Sequence, residues 1–332
     1  MTTQRLAETA RSIERAAELI RAGGVVAFPT ETVYGLGASA FNALAVARIF
    51  ELKARPRFDP LIVHIAVMTD VESLAASFPT AARKLAEKFW PGPLTLVLPK
   101  LPIVPDIVTA ELPSVAIRQP DHPVALALIR AAGVPIAAPS ANPFGRTSPT
   151  TAAHVAEQFG TELEWILDGG PCRVGLESTI VSFVGPAPVL LRPGGVSLED
   201  IVAAIGPVAV HSSEGERPLA PGQMPSHYAP RTPLKLLNES DSRDCAGRVG
   251  LLSFQRPVDS ASFAAVEILS EAGDLREAAA NLFAAIRRLD AQRLDLIIAE
   301  PVPESGLGRA IMDRLRRASL GPAAQFDQTE AT

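Results

Sequence analysis

The chain places Lys53, Arg55 and Arg57 within five residues, in the run K-A-R-P-R-F-D-P over 53–60, directly before an apolar stretch. Arginine offers a planar fork for phosphate or carboxylate oxygens, and lysine a compact point charge. Pro56 and Pro60 stiffen the segment and lower the ordering cost of binding an anion. A solvated surface loop is the competing reading of the same residues.

His64 follows in L-I-V-H-I. A histidine inside a strand is commonly a hydrogen-bonded core residue, but downstream of a cationic loop a neutral imidazole can also hold a substrate. Phe28-Pro29-Thr30-Glu31-Thr32-Val33-Tyr34 puts two hydroxyls, a carboxylate and a phenol where a strand ends, the usual ligand end of an α/β layer. A second such loop is A-P-S-A-N-P over 138–143, continued by Thr147-Ser148. Ser148 there reads equally as a helix cap or a ligand contact. Gly175-Leu176-Glu177-Ser178-Thr179 and Leu191-Arg192-Pro193-Gly194 are two more. Taken singly, Ser178 or Thr179 reads as satisfying backbone groups in a turn.

Neither the dinucleotide glycine fingerprint nor a Walker-type phosphate loop occurs, so any ATP is held by other means. No nucleophile–base–orienter set is evident, and no metal-binding spacing. Hydroxyl-bearing loops around one cation cluster suit a small polar substrate beside a polyphosphate, with rate from positioning and charge neutralisation.

The elements that must hold these loops alternate. Helical periodicity is read over 5–22, 42–52, 69–77, 80–89, 122–132 and 150–159. Strand-like runs are read at 25–28, 61–66, 94–99, 115–118, 135–138, 165–168, 178–184 and 188–192. This predicts α/β layering on a mixed sheet over residues 1–210. Residues 211–233, rich in proline and turn formers, read as a linker. Strand-like runs at 234–237, 249–254 and 294–299, with helices at 274–289 and 307–319, then predict a small three-layer α/β domain over 234–322, followed by a polar tail over 323–332.

With 332 residues, 47% hydrophobic and 20% charged, the chain has apolar material for two cores. A net charge of −5 gives no general pull toward nucleic acid or anionic membrane. Thirty prolines argue against a helical bundle. Cys172 and Cys245 cannot cage a metal alone, and His122, His154 and His211 read as surface residues. With interleaved charges at the amino terminus and no long apolar segment, a cytoplasmic protein is expected.

The motifs resemble the YrdC family in its order: F-P-T-E-T-V-Y-G-L-G at 28–37, K-x-R-P with D-P-L-I-V-H-I over 53–65, A-P-S-A-N at 138–142, G-L-E-S-T-I at 175–180 and L-R-P-G at 191–194. A-P-G-Q-M-P-S-H-Y-A-P at 220–230 and E-P-V-P-E-S-G-L-G-R-A at 300–310 resemble its long two-domain branch. The resemblance implies a YrdC-like twisted mixed sheet flanked by helices, plus a Rossmann-like C-terminal domain. It also implies condensation of L-threonine, bicarbonate or CO2 and ATP to threonylcarbamoyl-AMP and pyrophosphate, with Mg²⁺. The product would pass to tRNA threonylcarbamoyltransferase proteins, without direct tRNA binding.

Carried over by motif, Thr32, His64, Arg118, Ser140 and Ser178 would hold L-threonine, Arg118 through its carboxylate. Lys53, Arg55, Asp59, Ser114, Ala138, Ser148 and Arg192 would surround ATP, with Lys53 and Arg55 catalytic. His227 and Tyr228 would reach the nucleotide from the linker as a lid. Two positions depart from the family: Asp59 and Met312 stand where Asn is usual. A carboxylate near phosphates calls for Mg²⁺ or for pairing with Arg55 or Arg57. A double-stranded RNA-binding module is the alternative function, opposed by the charge and by only 5% aromatic residues.

Overall fold

The computed structural model describes residues 4–7, 10–211, 218–237, 247–257 and 260–321. Cys245 and the 323–332 tail lie outside them. The chain divides into two compact units. The first is residues 1–143 with 148–223, the second 144–147 with 224–332.

In chain order the first unit holds β1 (Gln4–Ala7), α1 (Ala10–Arg21), β2 (Val26–Phe28), β3 (Gly35–Ser39), α2 (Ala43–Lys53) and β4 (Ile62–His64). It continues through α3 (Thr80–Phe89), β5 (Leu94–Pro99), α4 (Asp106–Thr109), β6 (Ser114–Arg118), α5 (Pro123–Ala132) and β7 (Ile136–Ala138). It closes with α6 (Ala152–Phe159), β8 (Trp165–Asp168), β9 (Thr179–Ser182), β10 (Val189–Arg192), α7 (Leu198–Ile205) and β11 (Ala209–Val210). The strands form one eleven-stranded sheet, β1-β8-β2-β3-β7-β4-β6-β5-β9-β10-β11. It is mixed as expected: β4 runs parallel to β6 and antiparallel to β7, and β5 runs antiparallel to β6 and parallel to β9.

Local chemistry sets the helix ends that matter. Asn42 caps α2 by accepting from the amides of Leu44 and Ala45 at 3.1 Å each. The helix stops at Ala54, which turns left-handed with φ 49° and sends Lys53 and Arg55 into the interior. His122 caps α5 through Nδ1, Pro123 fills the first turn, and Gly133 closes the helix at φ 68°. Thr151 caps α6 by accepting from His154 N, so Ser148 is not the cap.

Three expectations change. Residues 4–7 form a strand beside β8, and the first helix begins at Ala10. Between Met68 and Ser73 there is a short 3-10 turn rather than a helix reaching 77. Gly35–Ser39, where no strand is expected, is a central buried strand. A Cβ on Gly37 would stand 2.6 Å from Ile136 Cγ2 and Phe28 Cε1, so the glycine serves close packing.

The second unit carries β12 (Leu234–Leu236), β13 (Val249–Ser253), β14 (Ala265–Ile268), α8 (Leu275–Asp290), β15 (Leu296–Ala299) and α9 (Gly308–Ser319). Its four strands are parallel, in the order β12-β15-β13-β14. α8 and α9 touch each other over the sheet. On the other face Val249, Leu251 and Ile298 pack with Leu237 and Phe263. No helix among them is long and apolar enough to cross a membrane.

Candidate active site

Strand alternation sorts the central sheet into two faces. Val63, Leu96, Leu98, Val115, Ile117, Ala137 and Val181 turn into the main apolar core. The residues between them take the other face: Ile62 and His64 on β4, Thr95 and Val97 on β5, Ser114, Ala116 and Arg118 on β6, and Ala138 on β7. Register places His64 opposite Arg118, and Ile62 opposite both Ala116 and Ala138. The apolar members of this face form a separate small cluster, Ile62, Val97, Ala116, Ile180 and Leu191, joined by Ala220.

At the carboxyl end of β4 and β6, Arg118 pairs with Glu31 at 2.7 Å, and both are buried. Arg118 Nε donates to Gly92 O at 3.3 Å. His64 is buried edge-on to Phe28, with ring centroids 5.9 Å apart. Burial first, then the charge of Arg118, pushes its pKa down to about 3, against weaker opposition from the backbone of Ile136 and Ile62. The ring is therefore neutral at physiological pH. Thr30 fixes the adjoining turn: its hydroxyl meets Thr32 Oγ1 at 2.8 Å and accepts from the amides of Thr32 and Val33. Ser178 Oγ lies 2.7 Å from Thr95 Oγ1. Tyr34 has a structural task instead, its hydroxyl donating to Gly170 O at 2.8 Å. Burial pushes that phenol up.

At the amino end of the same strands, Lys53 is buried and donates to Ser140 O at 2.6 Å and to Asn142 O. Burial first, then the neighbouring Arg55, pulls its pKa well down. Arg55 donates to the carbonyls of Asp59 and Pro60 and meets Asp59 Oδ2 at 2.9 Å. Burial raises the Asp59 pKa, while Arg55, Lys53 and Arg192 counteract it. The partner Asp59 called for is thus Arg55. Arg57 is exposed, so the solvated-loop reading holds for that residue alone.

Arg192 donates to Ser178 O at 2.9 Å and to Pro221 O at 3.0 Å. Only a glycine at 194 lets β10 end this close to the 177–179 turn, since a Cβ there would meet Glu177 O at 2.4 Å. Ser148 is fully buried and donates to Glu177 Oε1 at 2.6 Å. Ser114 and Ser140 are half-buried, Ser140 bridging to Gly35.

The expected linker divides between the units. Pro218–Gln223 stays with the first, where Gln223 donates to Leu191 O and accepts from the amides of Leu219 and Ala220. His227 and Tyr228 belong to the second. There Tyr228 stacks on Phe283 at 5.6 Å under the Arg314 guanidinium, and His227 meets the Phe144 edge at 5.7 Å. His122 and His154 are half-buried and engaged in caps and turns, not surface residues.

Sequence reasoning gave Glu31 and Glu177 no individual role, and the structure places both in the buried network. Glu177 stands inside a quoted motif, and buried carboxylates beside arginines are a signal that only the fold reveals. In the first unit the buried charged side chains described are Lys53, Arg55, Arg118 and Arg192 against Glu31, Asp59 and Glu177. A chain with net charge −5 therefore keeps an excess of cations inside this one face. Buried charge of that kind calls for an anion.

Comparison with known proteins supplies the family. Residues 18–194 match the family model described as "Telomere recombination", and residues 196–319 match "Threonylcarbamoyl-AMP synthase, C-terminal domain". The Threonylcarbamoyl-AMP synthase of Bacillus subtilis is 46% identical over 332 residues, covering 96% of each chain. That of Pyrococcus abyssi is 46% identical over 92% of this chain and 94% of its own. The chain belongs to the threonylcarbamoyl-AMP synthase family. The crystal structure of P. abyssi Sua5 complexed with L-threonine superposes with TM-score 0.88 at 44% identity, covering 96% of this chain and 98% of that one. The two-domain branch and the mixed-sheet fold expected from the motifs are those of the family, and its members are enzymes.

Proposed function

We propose that this chain condenses L-threonine, bicarbonate-derived CO2 and ATP to L-threonylcarbamoyl-AMP and pyrophosphate. The observation that carries the reading is the polarised face just described. An arginine–glutamate pair with a neutral histidine lies at one end, and a buried cation cluster at the other. Ser114 and Arg118 bracket it on one strand, about 13 Å apart for a four-residue rise. That separation gives the amino acid and the nucleotide's phosphates opposite ends of one face.

In this reading Arg118 takes the threonine carboxylate, Thr32, His64 and Ser178 supply neutral hydrogen bonds to the amino acid, and Ser140 meets it from the Lys53 side. The threonine nitrogen, once deprotonated, adds to CO2. The resulting N-carboxylate attacks the α-phosphorus in line, and the Pα–O bond to pyrophosphate breaks. Lys53 and Arg192 face the growing negative charge, where fixed cations in a dry site stabilise the transition state. Arg55 acts through the loop: it holds the Asp59–Pro60 backbone and neutralises Asp59. Ser148, Ser114 and Ala138 line the nucleotide side. No covalent enzyme intermediate is needed.

Mg²⁺ enters as part of the MgATP substrate. Among the described residues no three His, Cys, Asp or Glu side chains gather to hold a metal, and Asp59 is committed to Arg55, so no step is assigned to a protein-bound ion. The product's acyl phosphate is a hydrolysable mixed anhydride suited to transfer onto tRNA adenosine by partner proteins, in the cytoplasm. The RNA-binding alternative is not favoured. Pyrophosphate release tests the proposal: it should require threonine together with bicarbonate and ATP. Release that is absent, or indifferent to threonine, contradicts it.

A further inference from the structure

Glu31 is buried, and its role in the chemistry is not given by the charge count alone. Its backbone is pinned on both sides: Val174 N donates to its carbonyl at 2.8 Å, and the Thr30 hydroxyl organises the turn that follows. Its carboxylate lies 2.7 Å from Arg118 Nη2, yet neither oxygen accepts a hydrogen bond of good geometry from the described residues. Arg118 in turn gives Nε to Gly92, while its Nη2, at ion-pair distance from Glu31, is buried without a well-formed hydrogen bond among the described residues. A buried carboxylate with unused acceptor capacity, beside a guanidinium with an open donor, presents two opposite charges a few ångströms apart. An α-amino acid zwitterion presents the same two charges reversed.

We propose that Glu31 binds the α-ammonium of threonine and accepts its proton. The inference rests on the synthase reading above. When the substrate carboxylate docks on Arg118, the ammonium falls beside Glu31, and the four charges pair without net accumulation in the buried site. The N–H bond breaks as the proton passes to the Glu31 carboxylate. The nitrogen lone pair then forms the C–N bond to CO2, and one C=O π pair moves to oxygen. A second proton leaves the nitrogen to water, giving the N-carboxylate that attacks ATP, and Glu31 returns its proton to solvent. Without this step the nitrogen stays an ammonium with no lone pair. Neutral Thr30, Thr32 and His64 cannot substitute at physiological pH. Cys172, whose thiol burial and the Glu31 charge push up, remains protonated.

The groups that face Glu31 are Arg118 from β6, Cys172 from the loop after β8, and the hydroxyls of its own turn, with His64 coupled through Arg118. The His64 imidazole, pushed down, and the Cys172 thiol, pushed up, each keep one form between pH 7 and 9, so the pH profile reports the substrate amine. The experiment measures threonine-dependent pyrophosphate release by full-length wild type, Glu31→Gln and Glu31→Asp from pH 7 to 9. Glu31→Gln should lose about 100-fold in kcat at pH 7, the scale of general-base catalysis, and recover steadily as pH frees the amine. Its KM for ATP should stay unchanged. Glu31→Asp keeps the Arg118 pair but shortens the reach, and should lose about 10-fold without the steep recovery.

A Glu31→Gln profile parallel to wild type at any activity level overturns proton transfer, because a merely structural loss does not bend with pH. Should Glu31→Gln fail to fold, Glu31→Asp decides: wild-type kcat at pH 7 overturns the proposal. Wild type without threonine-dependent release refutes the synthase reading, whereas an active wild type with parallel profiles refutes Glu31 alone.

Discussion

At the scale of single residues, the first unit keeps charged and titratable groups buried. His64 shows the cost. Its folded pKa of about 3 lies below the ordinary 6.5, so between these values the unfolded chain binds the proton and the native chain does not. Its contribution to stability is complete above pH 6.5 and is lost as pH falls, at about 1.4 kcal/mol per pH unit. His64→Gln removes this term. Denaturant melts at pH 7 and pH 4.5 should show a smaller acid loss for the variant, and equal losses would contradict the neutral, buried imidazole. Arg118→Ala should raise KM for threonine at least 100-fold and lower stability by about 3–5 kcal/mol, because it leaves Glu31 buried without its cation. Calorimetric titration with threonine and a urea melt measure the two effects. Lys53→Ala should cut kcat by about 100–1,000-fold, since it removes both a fixed cation and the tie to the Ser140 and Asn142 carbonyls.

At the scale of elements, positions that matter are held by caps and by close packing. Ser148 and Thr151 make a clean comparison. Thr151→Ala should cost about 1 kcal/mol through the lost α6 cap and leave KM for ATP unchanged. Ser148→Ala should raise KM for ATP with no change in helix content by circular dichroism. The same pair shows what the sequence makes legible. A hydroxyl before a helix announces a cap, but which of two nearby hydroxyls takes the task depends on where Glu177 arrives from 29 residues away. Lys53, Arg55 and His64 are readable because a proline-stiffened loop and the apolar strand after it put them in order, whereas Arg118 enters only through the family resemblance. Glu31 and β3 are not readable. Glycines at 35 and 37 give no strand signal until Phe28 and Ile136 pack against them, and a lone carboxylate means little until Arg118 stands beside it.

At the scale of the whole molecule, charge is segregated: the chain carries −5 overall, while the interior of one sheet face keeps more cations than carboxylates. A net charge of −5 offers no general electrostatic pull toward tRNA phosphates. Filter binding at about 150 mM salt should therefore detect none, whereas salt-sensitive retention would favour the RNA-binding alternative. The division into units also assigns residues 144–147, inside the loop that runs from Ser140 to Ser148, to the second unit, where Thr147 donates to Tyr228 O at 3.2 Å. The most direct test of the account follows the carbon. Incubation with [13C]bicarbonate, L-threonine and MgATP, with mass detection of the nucleotide product, should yield threonylcarbamoyl-AMP carrying one 13C per AMP. An unlabelled threonyl adenylate, or AMP without the carbamoyl adduct, would contradict it.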